Sequence, residues 1–297
     1  MPVDVGVDAG GSGTIAVTVV DGKRNVVQLA AANPSASSVD GAALTIGDAI
    51  AAAASPGVPG SVVVGAAGAG RADVAAALRD ELQRRFPIAR IEVIDDARLA
   101  LSAAGGAGRG IVLISGTGSI AYGENGERSA RCGGGGYAIG DEGSGYAIGA
   151  AGLRLALRAF DGRGVVDGTV RAIVEATGAP DRDALLSFAY DVPSTVATVA
   201  SLAPIILRCA DDGERGALTI VQTAARELFD LVRVVVREID ATVEMPLALH
   251  GGVLQTASTL TYLLETRMTN ELPNLYTVRS EVAAHDAALR MAQAHAP

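Results

Sequence analysis

A strand, a glycine-rich turn, a returning strand and a hairpin follow one another twice in this chain, within residues 3–31 and again within residues 110–126. The first copy turns at Gly10-Gly11-Ser12-Gly13 and closes a hairpin at Asp21-Gly22, and the second turns at Gly116-Thr117-Gly118. A Rossmann domain would instead place a helix directly after its first glycine turn. The recurrence therefore predicts two related lobes that arose by internal duplication.

The boundary between the lobes is predicted at Gly105-Gly106-Ala107-Gly108, a stretch without bulky side chains. A chain of 297 residues has room for two domains of roughly 150 residues each. We expect an N-terminal lobe at 1–106 and a C-terminal lobe at 107–281. A last helix, at about 282–297, is a candidate to pack on the first lobe.

Composition excludes several classes of function. The 33 acidic and 24 basic residues sum to −9, so the chain has no general attraction for nucleic acid or anionic membrane. Its longest nearly apolar run, 196–207, is too short to span a bilayer, and the N-terminus lacks a signal-peptide pattern, so a cytoplasmic protein is expected. Cys132 and Cys209 are too few for a disulfide scaffold and form no CxxC motif.

The first glycine turn could hold an anion, because glycines allow backbone N–H groups to approach closely and Ser12 and Thr14 add hydroxyl donors. Asp8, just before the turn, could hold Mg²⁺ directly or through water. Taken alone, the turn is better explained as an ordinary hairpin, and no Walker A lysine follows it. The second turn, Ser115 to Ser119, is also weak alone and gains force only from the recurrence.

Asp95 and Asp96 end a predicted strand at 91–94. Acids at the carboxyl end of an inner strand face the ligand cleft in α/β folds, and one of them could accept a proton from a substrate hydroxyl. Alternatively, either residue could simply cap the next helix. The local sequence does not decide between these two roles.

The stretch from Cys132 to Gly145 is the most unusual part of the chain, since it contains four consecutive glycines and then Gly-Asp-Glu-Gly-Ser. Such a run costs conformational entropy and is kept mainly where backbone must approach something closely. We expect Asp141 to open a helix and to bond a ligand's hydroxyls; a flexible loop with an acidic N-cap is the less favoured alternative. The Gly251-Gly252 turn, between a strand at 246–250 and a predicted helix at 253–267, leaves room for a flat ring.

In this order and spacing the motifs resemble the N-acetylglucosamine kinase branch of the BadF/BadG/BcrA/BcrD ATPase family, within the actin–hexokinase–Hsp70 superfamily. The most specific pieces are the run at 132–144 and Leu-Ile-Ser-Gly-Thr-Gly-Ser at 113–119. The resemblance implies an α/β fold of two ribonuclease-H-like lobes, with mixed β-sheets flanked by helices and a cleft between the lobes. It also implies ATP and Mg²⁺ as cofactors and a homodimer.

The implied reaction transfers the γ-phosphoryl group of ATP to the 6-hydroxyl of an amino sugar, with N-acetylglucosamine or glucosamine as the first expectation. By resemblance, Asp96 is the catalytic base and Asp8 the Mg²⁺ site. Residues assigned to ATP and its phosphates are Gly10, Gly11, Ser12, Gly13, Thr14, Gly116, Thr117, Gly118, Gly251 and Gly252. Residues assigned to the sugar are Asn33, Asp96, Gly134, Gly135, Gly136 and Asp141.

The chain departs from this family pattern at Gly135, where relatives commonly carry a tryptophan beside the N-acetyl group, and at Ala147, where a second aromatic is expected. A different 2-substituent, or a sugar such as N-acetylmuramic acid, therefore stays open. Two other functions are weighed: an ATPase that activates a dehydratase through a cysteine-bound cluster, and a non-catalytic sugar or nucleotide sensor. The scattered cysteines disfavour the first, and the presence of Asp96 disfavours the second.

Overall fold

The computed structural model describes residues 2–10, 13–34, 38–106, 108–191, 195–279 and 282–295. The strands are β1 (Pro2–Ala9), β2 (Thr14–Val20), β3 (Lys23–Leu29), β4 (Val58–Ala66), β5 (Arg90–Asp95), β6 (Arg109–Ser115), β7 (Ser119–Asn125), β8 (Arg128–Gly133), β9 (Met245–His250) and β10 (Leu275–Val278). The helices are α1 (Val39–Ala54), α2 (Ala72–Arg85), α3 (Asp96–Ala103), α4 (Gly145–Phe160), α5 (Gly168–Thr177), α6 (Arg182–Tyr190), α7 (Thr195–Ala200), α8 (Ala203–Asp211), α9 (Arg215–Glu238), α10 (Thr259–Glu271) and α11 (Ala284–Ala294).

The chain divides into two compact units, residues 1–107 with 280–297, and residues 108–279. Within the described residues each unit contains a five-stranded sheet, ordered β3-β2-β1-β4-β5 in the first and β8-β7-β6-β9-β10 in the second. In both sheets the first three strands form an antiparallel meander, and the last two run parallel to the first strand of the meander. The two units therefore share one topology, as the repeated sequence pattern predicts.

In the first unit helices cover the inner strands, and valine recurs along both of them. Val5 and Val7 of β1 and Val62 and Val64 of β4 are fully buried. On one side α1 and α2 pack against this sheet, and α3 and α11 contact its strands as well. The carboxyl ends of β1, β4 and β5 are thereby held at one edge by a rigid core.

The last helix, α11, belongs to the first unit although it lies at the other end of the chain. It crosses β1 at Gly6, where a Cβ atom would overlap the backbone of His285 and Leu289. Ser61 of β4 is buried, and its hydroxyl donates to the carbonyl of Ala292 at 2.8 Å. The missing side chain at Gly6 is thus what allows the helix to lie so close to the sheet.

In the second unit α9 is the helix that covers β6, β7 and β8. Its apolar stripe recurs at helical spacing, and Leu228, Phe229, Val232 and Val235 are all fully buried. Helices α4, α5 and α8 pack against one another and complete this core. In the part of the chain that the structure describes, no helix is both long and apolar enough to cross a membrane.

Several predicted boundaries are wrong. The helix expected from residue 253 begins only at Thr259, where Ser258 and Thr261 form a capping box, and residues 251–258 form turns. The hairpin predicted at Asn125-Gly126 forms between β7 and β8, although no range was predicted for β8, and the edge strand β10 was not predicted. Cys132 therefore lies within β8, paired with Ala121, and not within a glycine loop.

Candidate active site

In the first unit, predicted site residues gather at the carboxyl ends of parallel strands. Asp8 of β1 pairs with Gly65 of β4, and Gly65 pairs in turn with Ile94 of β5. Asp8 and Ile94 are therefore level with each other and two strands apart, a separation of roughly 10 Å at ordinary strand spacing. The sheet thus brings Asp8 and the Asp95–Asp96 pair to one edge.

The first glycine turn is closed by the N–H of Gly10, which donates to the carbonyl of Gly13 at 2.9 Å; Gly11 and Ser12 lie outside the described residues. Thr14 is fully buried, and its hydroxyl donates to the carbonyl of Ala30 at 2.8 Å. A hydroxyl has a single proton to donate. The Thr14 hydroxyl thus donates its proton within the hairpin here, and its role toward phosphate stays a prediction.

The two acids after β5 lie at the start of α3. Asp95 is the N-cap of the helix, and its carboxylate accepts from the N–H of Ala97 at 3.2 Å. Asp96 is the first residue of the helix and accepts from the same N–H at 2.9 Å. Both are half-buried. The capping contact is thus shared by the two acids, and the assignment of Asp96 as the base stays a prediction of the family resemblance.

Asn33 lies in the first unit four residues beyond the end of β3, and it is half-buried. The last residue of β3, Leu29, pairs with Thr14, which begins β2 directly after the first glycine turn. The segment that carries Asn33 therefore leaves the sheet at the same edge as the turn. This position is compatible with the predicted contact to a sugar.

In the second unit the turn at 115–119 is closed like the first one, by the N–H of Gly116 donating to the carbonyl of Gly118 at 2.9 Å. Ser115 and Ser119 are buried. Their hydroxyls donate to the carbonyls of Gly143, at 2.9 Å, and Glu142, at 2.7 Å. Thr117, by contrast, is exposed, so its hydroxyl is the side-chain donor that the turn presents outward.

The glycine loop, residues 134–143, is held against this turn. The N–H of Gly134 donates to the carbonyl of Ser119 at 2.8 Å, and the N–H of Gly140 closes the loop on Gly136 at 2.9 Å. Gly134 and Gly136 have φ values of 68° and 83°, which other residues rarely adopt. A Cβ atom on Gly140 would lie 3.0 Å from the Cα of Gly135. Close backbone approach and positive φ thus account for the run of glycines.

Asp141, near the end of this loop, has a left-handed backbone conformation. Its φ of 58° lies in the left-handed region, and its residue surface is only 9% exposed. The carboxylate accepts from the N–H of Ser119 at 3.4 Å and from the N–H of Gly136, and burial raises its pKa. Asp141 does not open the helix, as the sequence suggested, because α4 begins at Gly145 and is capped by Ser144.

A cavity of about 370 Å³ lies beside the turn at 115–119, and Gly252 and Val253 form part of its lining. The N–H of Val253 donates to the carbonyl of Ser115 at 3.0 Å, which joins the two turns. The other side of the cavity is formed by small residues of α7, α8 and the link between them: Ala197, Ala200, Ser201, Ala203 and Pro204. No motif marks these residues, and their only sequence signal is the scarcity of large side chains.

Neither cysteine resembles a metal ligand. Within the described ranges no group of three or more His, Cys, Asp or Glu residues could hold a metal ion. Burial raises the pKa of both thiols, Cys132 on β8 and Cys209 on α8. The two thiols lie on different elements, a strand and a helix.

Comparison with protein families matches residues 5–285 to the model of the BadF/BadG/BcrA/BcrD ATPase family. This chain belongs to that family. The match covers both units and every glycine turn described above.

Two relatives are informative at the level of sequence. An N-acetylmuramic acid/N-acetylglucosamine kinase from Clostridium acetobutylicum is 33% identical over 205 residues, which are 67% of this chain and 66% of that protein. The match thus spans just under two thirds of that relative. A solved structure from Chromobacterium violaceum, provisionally named an N-acetylglucosamine kinase, is 26% identical with a TM-score of 0.75, and covers 99% of each chain.

The fold extends to more distant proteins. A hexokinase structure superimposes with a TM-score of 0.55 at 13% identity, over 99% of this chain and 85% of the hexokinase. At that identity the likeness concerns the fold alone. The predicted fold class, two α/β lobes with mixed sheets of the hexokinase type, is confirmed for this member of the BadF/BadG/BcrA/BcrD family.

Proposed function

We propose that this protein is an ATP-dependent kinase that phosphorylates the 6-hydroxyl of an amino sugar, with N-acetylglucosamine or glucosamine as the first substrates to test. The observation that carries the proposal is the hydrogen-bonded assembly of the turn at 115–119, the glycine loop and the turn at 251–253 in one unit. Phosphoryl transfer depends mainly on such rigid positioning of phosphate and acceptor. The sequence relatives named above support the choice of sugar.

The nucleotide is assigned to the cavity and the glycine turns. A volume of about 370 Å³ is within the ordinary range for small-molecule sites, and the small side chains of Ala197 and Ala200 leave space for a flat base. The backbone of Gly116–Gly118 and the exposed Thr117 hydroxyl would bind phosphate oxygens. In the first unit Gly10 and Gly13 are also predicted to bind phosphate.

The acidic Asp8 suits the Mg²⁺ that accompanies ATP, because a carboxylate oxygen beside a phosphate-binding turn is a ligand this ion prefers. When bound, Mg²⁺ supplies positive charge that offsets the charge of the phosphate groups. Asp8 would hold it at the end of β1, directly or through water.

Asp96 would act on the acceptor. Its carboxylate would take the proton of the 6-hydroxyl while that oxygen bonds to the γ-phosphorus, and the bond between this phosphorus and the bridging oxygen breaks to release ADP. Asp96 is half-buried at the start of α3, where the helix holds it at the end of β5. Asn33, Gly134, Gly136 and Asp141 would bind the sugar's other groups.

N-acetylmuramic acid is a second candidate substrate, and one relative favours it. The Clostridium acetobutylicum protein, which is 33% identical over 205 residues, is named as a kinase of both N-acetylmuramic acid and N-acetylglucosamine. The lactyl carboxylate distinguishes the first sugar from the second, so the two substrates can be told apart in the same assay.

The deciding experiment measures coupled ADP release with Mg-ATP and a panel of sugars: N-acetylglucosamine, glucosamine, N-acetylmuramic acid, N-acetylmannosamine and glucose. Strong turnover with an amino sugar supports the proposal and identifies the substituent that the site accepts. Folded protein that binds ATP but turns over no sugar overturns it. Iron content after anaerobic purification would then test the dehydratase-activator alternative.

A further inference from the structure

We infer that Asp141 is a positioning residue that couples sugar binding on the glycine loop to nucleotide binding at the turn 115–119. This inference rests on the proposed function, because it assigns the loop to the sugar and the turn to phosphate. It concerns the connection between these two sites within one unit, in addition to the contacts that each makes with its ligand.

Asp141 is bonded to both segments at once. Its carboxylate accepts from the N–H of Gly136 in the loop and from the N–H of Ser119 at the end of the turn, the latter at 3.4 Å. The Cα of Gly118 also packs against this carboxylate, since a Cβ atom there would lie 2.8 Å from Oδ2 of Asp141. A movement of this carboxylate would therefore displace the backbone of the glycine loop and the backbone of the turn 115–119.

Ser119 is the point at which the two segments join. Its N–H donates to Asp141, its carbonyl accepts from Gly134 at 2.8 Å, and its hydroxyl donates to the carbonyl of Glu142 at 2.7 Å. All three polar groups of one buried residue are thus bonded to the loop segment. A sugar that orders this loop will also order Ser119 and the preceding Gly118, which is in the phosphate turn.

The conformation of Asp141 is compatible with a fixed place in the loop. A φ of 58° lies in the left-handed region, which aspartate adopts more readily than most residues with a side chain. The 3.4 Å contact to Ser119 is long for a hydrogen bond, so it has room to shorten. A carboxylate also has acceptor positions left for sugar hydroxyls after it binds two N–H groups. The Asp141 carboxylate can therefore bind a sugar hydroxyl and the loop backbone at the same time.

The expected consequence is positive coupling between the two ligands. Saturation with N-acetylglucosamine should tighten the binding of a non-hydrolysable ATP analogue, within the range of about 5- to 150-fold that is usual for coupled sites. By thermodynamic reciprocity the analogue should tighten sugar binding by the same factor. Both dissociation constants are measurable by calorimetry on the full chain.

Three variants test the role of Asp141. In Asp141→Gly, glycine adopts a φ of 58° without strain and the carboxylate is lost, so the coupling factor should fall to about 1. Asp141→Asn keeps the side-chain volume and one acceptor oxygen and should retain part of the factor. Glu142→Gln is the matched control: it removes a neighbouring, exposed charge and keeps the carbonyl that accepts from Ser119, so the wild-type factor should persist.

Each outcome separates the explanations. If Asp141→Gly weakens sugar binding but keeps the wild-type coupling factor, Asp141 is a sugar contact only and the inference is wrong. An uncoupled wild-type protein overturns it as well. If Asp141→Gly does not fold, the intermediate factor expected for Asp141→Asn decides, and an unchanged factor there overturns the inference. A wild-type protein that binds no amino sugar overturns the proposed function first and the coupling with it.

Discussion

The rings of Tyr137 and Tyr146 meet edge to face, with their centroids 5.1 Å apart and their planes at 61°. Tyr137 lies in the glycine loop and is 54% exposed, whereas Tyr146 lies in the first turn of α4. Such a pair contributes about 0.5–1.5 kcal/mol beyond the burial of the rings. The pair therefore places a fixed aromatic surface in the loop segment where Gly135 and Ala147 provide none.

Removal of this surface should change sugar preference. In Tyr137→Ala we expect kcat/KM for N-acetylglucosamine to fall relative to glucosamine by about tenfold, because an apolar acetyl group loses its contact. Tyr262→Ala removes a tyrosine of similar exposure from α10 and should leave the ratio unchanged. Equal ratios in wild-type protein and Tyr137→Ala would exclude Tyr137 from the sugar site.

A substitution at Gly135 tests the same part of the loop by adding an aromatic side chain. Its φ is outside the left-handed region, and a Cβ atom there would meet only the backbone of Gly140, at 3.5 Å. The backbone at this position therefore accepts a Cβ atom, and in Gly135→Trp the ranking of sugars with different 2-substituents should shift toward N-acetyl sugars. Competition assays over the sugar panel measure the ranking. A ranking that does not move would contradict this view of the loop.

Asp96 is predicted to be the base. Asp96→Asn should lower kcat by about 10²- to 10⁴-fold while the dissociation constant of ATP changes little. Asp95→Asn is a matched control, because asparagine also caps helices well and α3 should persist. Single-turnover phosphorylation measures both variants. Substantial turnover by Asp96→Asn would assign the proton transfer to another group.

The two threonines of the glycine turns should behave differently. Thr14→Val leaves the carbonyl of Ala30 without its partner and should lower the free energy of unfolding by about 1–3 kcal/mol. Thr117→Val alters an exposed side chain, so stability should hold while the KM for ATP rises by about tenfold through loss of a hydrogen bond to phosphate. Urea unfolding and initial rates distinguish these effects, and the reverse pattern would refute both assignments.

Asp141 should make stability depend on pH. Burial raises its pKa in the folded protein, with the nearby Glu142 adding to the rise and Arg131 opposing it. The folded state then keeps a proton that the unfolded chain releases, so the contribution of Asp141 to stability is full below the ordinary aspartate pKa and is lost as pH rises through the folded value.

Asp141→Asn removes this titration, because asparagine does not ionise. The free energy of unfolding of the variant, relative to wild-type protein, should therefore increase as the pH rises from about 4 toward neutrality. Urea titrations at a series of pH values measure this difference. A difference that stays constant with pH, or decreases, would contradict the raised pKa.

Short-range patterns predicted much of this molecule correctly. The hairpin at Asp21-Gly22 forms as expected, and both residues have the positive φ that a type I′ turn requires. The strand β1 follows from its alternation of apolar with small or polar residues, and β4 and β6 follow from their runs of branched apolar residues. Edge strand β10 was not predicted, because its four residues carry no strong apolar pattern and its pairing with β9 depends on its neighbour.

The sequence by itself determined the repeated topology, the positions of the glycine turns and the family, because turns, alternation and glycine spacing are local properties of the chain. Only the tertiary structure decided which polar groups remain for chemistry. The Thr14 hydroxyl donates to the carbonyl of Ala30, the Asp95 carboxylate caps α3, and the Ser119 hydroxyl donates to the carbonyl of Glu142. Those partners lie up to 23 residues away along the chain. The sequence does not show which partner a hydroxyl or carboxylate will bond, because that pairing is made only when folding brings the two groups together and excludes water.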